Sequence, residues 1–89
     1  MYHIRILEEA SRELARLDKS VGRRIVERIN WLSEKLNDIR PEPLRGNLIG
    51  LYKLRVGDYR VIYWVYTETK HIKIYEIEHR SQDYHSIKS

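Results

Sequence analysis

Leu51-Tyr52-Lys53-Leu54-Arg55-Val56-Gly57-Asp58-Tyr59-Arg60-Val61-Ile62-Tyr63-Trp64-Val65-Tyr66 is the stretch whose reading decides the fold. Aromatic and β-branched residues flank Gly57-Asp58 on both sides, the pattern of two strands joined by a two-residue turn. A loop of that length sets the register. Val56 faces Tyr59, Arg55 faces Arg60, Leu54 faces Val61 and Lys53 faces Ile62. Tyr52, Leu54, Val56, Tyr59, Val61, Tyr63 and Val65 then share one face, which is the side a helix layer should cover. Leu51, Lys53, Arg55, Arg60, Ile62 and Trp64 share the other. Arg55 and Arg60 stand directly opposed there, which costs stability unless solvent screens the two charges or a bound anion bridges them. A solvated arginine-rich face and an anion-binding face are both compatible with the pattern.

Downstream, Thr67-Glu68-Thr69-Lys70 reads as a second turn leading into a third strand. The continued register puts Trp64 near Lys73 and Ile62 near Tyr75 on the basic face, where Trp64 is either a rim packing residue or aromatic surface for base stacking. It would also point Glu76 into the core, which a thin core does not accept without a partner. A bulge or twist near Tyr75-Glu76 that sends Ile77 inward is therefore expected. The polar segment from His79 to Ser86 has room for one or two helical turns.

Upstream, Asn37 to Pro43 contains two prolines, and Pro41-Glu42-Pro43 reads as a semi-rigid connector. Before it, Val21, Ile25, Ile29, Leu32 and Leu36 recur at steps of four and three, lining one face of a long helix with Asp18 or Ser20 as its cap and an end near Asn37. Glu8 to Arg16, with Ala10, Leu14 and Leu17 at helical spacing, forms a shorter helix, and Tyr2 to Leu7 alternates as a strand. The expected fold is α+β: two helices from the N-terminal half packed on one face of a small, mainly antiparallel four-stranded sheet, with a short C-terminal helical turn, in one domain over residues 1–89.

Composition narrows the function classes. Lysine and arginine number 17 against 13 aspartates and glutamates, with nine basic and eight acidic residues up to Pro43 and eight and five from Leu44 onward. The positive bias lies in the second half and favours an anionic partner. No cysteine is present to form a disulfide or a thiolate metal site, which fits a cytoplasmic setting, and no apolar run approaches the ~20 residues of a membrane span. His3, His71, His79 and His85 lack zinc-ligand spacing, the hairpin carries no carboxylate on its basic face, and Glu76, Glu78 and Asp83 form no recognisable ligand set. Gly46 and Gly50 lack the lysine and helix start of a phosphate loop. No metal or cofactor is expected. Cationic and phenolic chemistry remains, and it suits attack of an RNA 2′-hydroxyl on its own phosphate.

Several of these segments resemble the RelE/ParE superfamily of toxin–antitoxin toxins, on the RelE side: Leu44-Arg45-Gly46, Gly50 to Tyr63, His79-Arg80, Tyr84, and Leu17 to Ser20 with Arg23-Arg24-Ile25. The resemblance implies a ribosome-dependent endoribonuclease that cleaves mRNA in the A site without metal and leaves a 2′,3′-cyclic phosphate. It implies Lys53, Arg55, Arg60, Arg80 and Tyr84 as catalytic residues; the expected RNA contacts are Lys53, Arg55, Arg60 and Arg45, with Lys73 added by the strand register.

Arg55 stands where that branch carries lysine, and a guanidinium with a pKa above about 12 makes a poor base. Base duty falls to Tyr84 or Lys53, with His85 a further candidate because some ribosome-dependent relatives use a C-terminal histidine. Arg60 and Lys53 then stabilise the phosphate, and Arg80 stabilises it or protonates the leaving group. A free phenol has a pKa of about 10, so a Tyr84 base requires the surrounding cations to lower it. The resemblance further implies a RelB-like antitoxin, through which the complex could bind operator DNA. The ParE branch implies a different action, inhibition of DNA gyrase by binding. An RNA-binding module without cleavage is a third reading, and its affinity would fall steeply with salt.

Overall fold

A computed structural model describes residues 1–44 and 50–82. Strand β1 (His3–Ile6) leads into helix α1 (Glu8–Arg16) and helix α2 (Lys19–Lys35), which runs on into a 3-10 turn at Leu36–Asp38. Strands β2 (Glu42–Pro43), β3 (Leu51–Val56), β4 (Tyr59–Tyr66) and β5 (His71–His79) follow, and a 3-10 turn at Arg80–Gln82 comes after them.

Both helices form where the apolar spacing places them. Glu8 and Glu9 in the first turn of α1 and Arg16 in its last complement the helix dipole, and Arg12 bonds Glu8 at 2.8 Å one turn away. At four- and three-residue steps, Ile25, Ile29 and Leu32 of α2 and Leu36 of the following turn are buried, and Val21 packs against them. Asp18 occupies the N-cap position of α2 by its backbone, but its side chain makes no capping bond.

The sheet order is β1-β5-β4-β3-β2. β1 runs parallel to β5 and the other neighbours are antiparallel, so the sheet is mainly antiparallel, as expected. Among the described residues it has five strands rather than four. Within the expected connector, Glu42 and Pro43 pair with Lys53 and Tyr52, forming a two-residue edge strand. Proline is tolerated there because an edge strand can turn its missing donor outward.

The hairpin register is the one the two-residue loop dictates, from Leu51↔Trp64 to Val56↔Tyr59. Gly57 takes φ +61°, the left-handed first position of a type II′ turn. Leu54, Val56, Val61, Tyr63, Ile72, Ile74 and Ile77 form the sheet side of the core, packed with Ala10, Ile25, Ile29 and Leu32 from the helices. Tyr52, Tyr59 and Val65 lie at its margin.

The β4–β5 ladder slips between Ile62 and Tyr63: Tyr63 pairs with Ile74, whereas Ile62 pairs with Glu76. Tyr75 is the extra residue, and Ile77 turns inward opposite Val61 with 2% exposure. The anticipated bulge is present. Ile62 therefore meets Glu76, not Tyr75. Among the described residues no helix is long and apolar enough to cross a membrane.

Candidate nucleic-acid interface

The face opposite the helices collects Lys53 and Arg55 from β3, Arg60, Ile62, Trp64 and Tyr66 from β4, and Lys73 from β5. Arg55 and Arg60 are cross-strand partners one pair in from the turn. Their repulsion is offset within the chain, because Arg60 Nη2 donates to Glu78 Oε1 at 2.9 Å and Glu78 is also its β4–β5 partner. The two side chains are 12% and 6% exposed. Lys53, 15% exposed, reaches Glu42 of the edge strand at 3.4 Å. Arg55 is exposed.

This is neither the uniformly solvated face nor the simple row of open cations that the hairpin alone suggests. Two cations are half sunk and held by carboxylates, and one stands in solvent. Ile62, 1% exposed yet outside the helix-side core, lies between them.

Reading the hairpin alone misses the carboxylates. Glu76 and Glu78 reach this face only because Tyr75 is looped out; an unbroken ladder would turn both toward the helices. The signal was available in the requirement that Ile77 point inward, since that same half-turn sends its two neighbours outward.

The aromatic part of the face is continuous. The Trp64 and Tyr66 rings lie 6.1 Å apart, and Lys73 Nζ sits 4.8 Å from the Tyr66 centroid. Trp64 also has a packing role, because a Cβ at Gly50 would run into its ring. Tyr75 hydrogen-bonds Tyr66, and this bond, reinforced by burial, raises its phenol above the ordinary range. Burial pushes the Tyr63 phenol up to about 12. Both shifts run opposite to what a tyrosine base needs.

Arg80 sits at the turn end of the hairpin. Its backbone N–H donates to Asp58 O at 2.8 Å, and its guanidinium, 74% exposed, is 4.0 Å from the Asp58 carboxylate. Of the expected site residues, Arg55, Arg60 and Arg80 thus gather near the turn, and Lys53 and Lys73 lie further along the strands. Arg45, Tyr84 and His85 lie outside the described residues.

Residues 4–84 match the family model for the ParE toxin of the type II toxin–antitoxin system, parDE. The chain is also 35% identical over 85 residues to Toxin RelE of Mycobacterium tuberculosis (strain ATCC 25618 / H37Rv), covering 93% of this chain and 86% of that protein. The chain belongs to the RelE/ParE superfamily of type II toxins. Among solved structures, the toxin resembles a chain of the RelBE2 complex from M. tuberculosis, with a TM-score of 0.78 and 30% identity over 89% of this chain and 98% of that one. A chain of the archaeal RelE–RelB complex from Pyrococcus horikoshii OT3 gives 0.68 and 32%, over 91% and 97%. Isolated E. coli RelE, at 22% identity and a TM-score of 0.75 over 89% and 84%, shares the fold with the toxin.

Proposed function

We propose that this toxin is a ribosome-dependent endoribonuclease that cuts mRNA in the A site and so stops translation. The observation that carries the reading is the Arg55–Arg60 pair, backed by Lys53 and with Trp64 and Tyr66 further along the same strand, on the sheet face that the helices leave uncovered. The likeness to RelE proteins at 30–35% identity supports it.

The RNA 2′-oxygen attacks its own phosphorus, the bond to the 5′-oxygen breaks, and a 2′,3′-cyclic phosphate remains. A base takes the 2′-hydroxyl proton, and an acid or water supplies one to the departing 5′-oxygen. Lys53, Arg55 and Arg60 neutralise the charge that builds on the phosphorane oxygens. Arg80 joins them at the turn end, and Arg45 and Lys73 extend the RNA path. Tyr84 serves as base, with Lys53 and His85 the alternatives. A small domain cannot enclose its substrate, so the ribosome orients the RNA.

Relatives were solved as RelBE2 and RelE–RelB complexes, and a RelB-like antitoxin is the partner proposed for this toxin in the cytoplasm, with operator DNA bound through the antitoxin. The match to the ParE model supports a second reading, inhibition of DNA gyrase by binding. Induced expression with mapping of RNA 5′ ends separates the two. Translation-dependent cuts inside reading frames, abolished by Tyr84→Phe, are the expected result. Intact mRNA accompanied by gyrase-dependent DNA breaks overturns it.

A further inference from the structure

Glu78 is the most deeply buried carboxylate among the described residues. In an unbroken ladder it would lie opposite Tyr59 on the helix side; with Tyr75 looped out it lies opposite Arg60. A row then crosses three strands, from exposed Arg55 through Arg60 to Glu78. The Arg60–Glu78 bond of 2.9 Å, between side chains 12% and 6% exposed, costs desolvation that the attraction barely repays, so stability alone is a weak reason for it.

We infer that Glu78 is a positioning residue for the phosphate: its carboxylate fixes the Arg60 guanidinium against β5 and offsets its charge until negative charge builds on the substrate. The inference rests on the reading of this face as an RNA phosphate site. The 2.9 Å bond from Nη2 to Glu78 Oε1 restricts how the guanidinium turns, and a pre-oriented donor contributes most where charge develops. The offset also matters. An Arg60 without that offset would bind ground-state RNA and transition state more nearly alike, which does not raise the chemical rate. Ground-state binding is thereby left mainly to Arg55. Lys53 repeats the arrangement more openly with Glu42 at 3.4 Å.

The experiment uses the whole chain and two readouts: equilibrium binding of a single-stranded RNA carrying a 2′-deoxy residue at the cleavage position, and single-turnover cleavage of ribosome-bound mRNA. Glu78→Gln keeps the shape and loses the charge. It is expected to bind the 2′-deoxy RNA about 3–10-fold tighter, with a salt slope steeper by about 0.7, the increment of one more phosphate neutralised. Its saturating cleavage rate is expected to fall about 10-fold or more, so binding and rate move in opposite directions, which a general loss of structure would not produce.

Glu78→Asp keeps the charge on a shorter stem and should bind within about two-fold of the parent while cleaving at least about five-fold more slowly. Unchanged affinity and salt slope in Glu78→Gln overturn the inference, as does a cleavage loss that merely follows weaker binding. Where Glu78→Gln does not fold, Glu78→Asp decides, and cleavage at the parental rate refutes the positioning role. A parent that does not cut mRNA on ribosomes refutes the nuclease reading instead, and the binding readout still decides whether Glu78 offsets Arg60.

Discussion

Replacing Arg60 with methionine should cost the fold about 3 kcal/mol, the lower end of the range for removing one member of a buried ion pair. The magnitude follows from the position of the pair. Glu78 is 6% exposed and Arg60 Nη2 lies 2.9 Å from its Oε1, so the variant leaves a carboxylate without its guanidinium where water replaces it poorly. At an effective dielectric of ~20, two unit charges about 4 Å apart attract by about 4 kcal/mol, part of which the desolvation of both groups has already consumed. Methionine keeps most of the volume, so little of the loss comes from a cavity. A domain of 89 residues is stable by about 5–13 kcal/mol, and each kcal/mol moves its melting point by about 4–8 °C, so a fall of about 12–24 °C is expected. Urea unfolding should show the midpoint lowered with the slope unchanged. Adding Glu78→Leu to Arg60→Met removes the buried charge and should restore most of the loss. An Arg60→Met protein that melts within about 2 °C of the parent, or a double variant that melts below the single one, refutes this reasoning.

Arg55→Ala should behave in the opposite way: its side chain is exposed, so unfolding stays within about 0.5 kcal/mol of the parent, while RNA affinity drops and the salt slope becomes shallower by about 0.7. Equal salt slopes would place Arg55 off the RNA path. Gly50→Ala should lose about 1–3 kcal/mol, because Gly50 has φ +95° and its Cβ would run into the Trp64 ring; a urea midpoint equal to the parent's would contradict that packing. Tyr63 gives an alkaline limit. Its phenol is pushed up to about 12 in the fold and ionises near about 10 when unfolded, so its contribution is complete below about pH 10 and is lost as pH rises toward 12. Between pH 9 and 11.5 the parent should therefore lose about 2 kcal/mol more than Tyr63→Phe in urea unfolding, and equal losses would show that this phenol does not report burial.

Local features are what the sequence by itself determined. The register from Leu51 to Tyr66 follows from a two-residue turn and the alternation around it, and both helices follow from apolar spacing, because each involves residues within a few positions of one another. The cost of pointing Glu76 into a thin core even located the bulge. Tertiary structure decided the rest. Glu42–Pro43 becomes a strand only because the β3 edge is there to pair with it, which no propensity of a proline-flanked segment would indicate. Arg60 and Glu78 are 18 residues apart, and their pairing depends on how the bulge resets the β4–β5 ladder. A side chain's face can be counted along one strand. Its charge environment depends on the neighbouring strands, and here a carboxylate from β5 converted an expected row of open cations into one exposed arginine beside a buried, pre-oriented one.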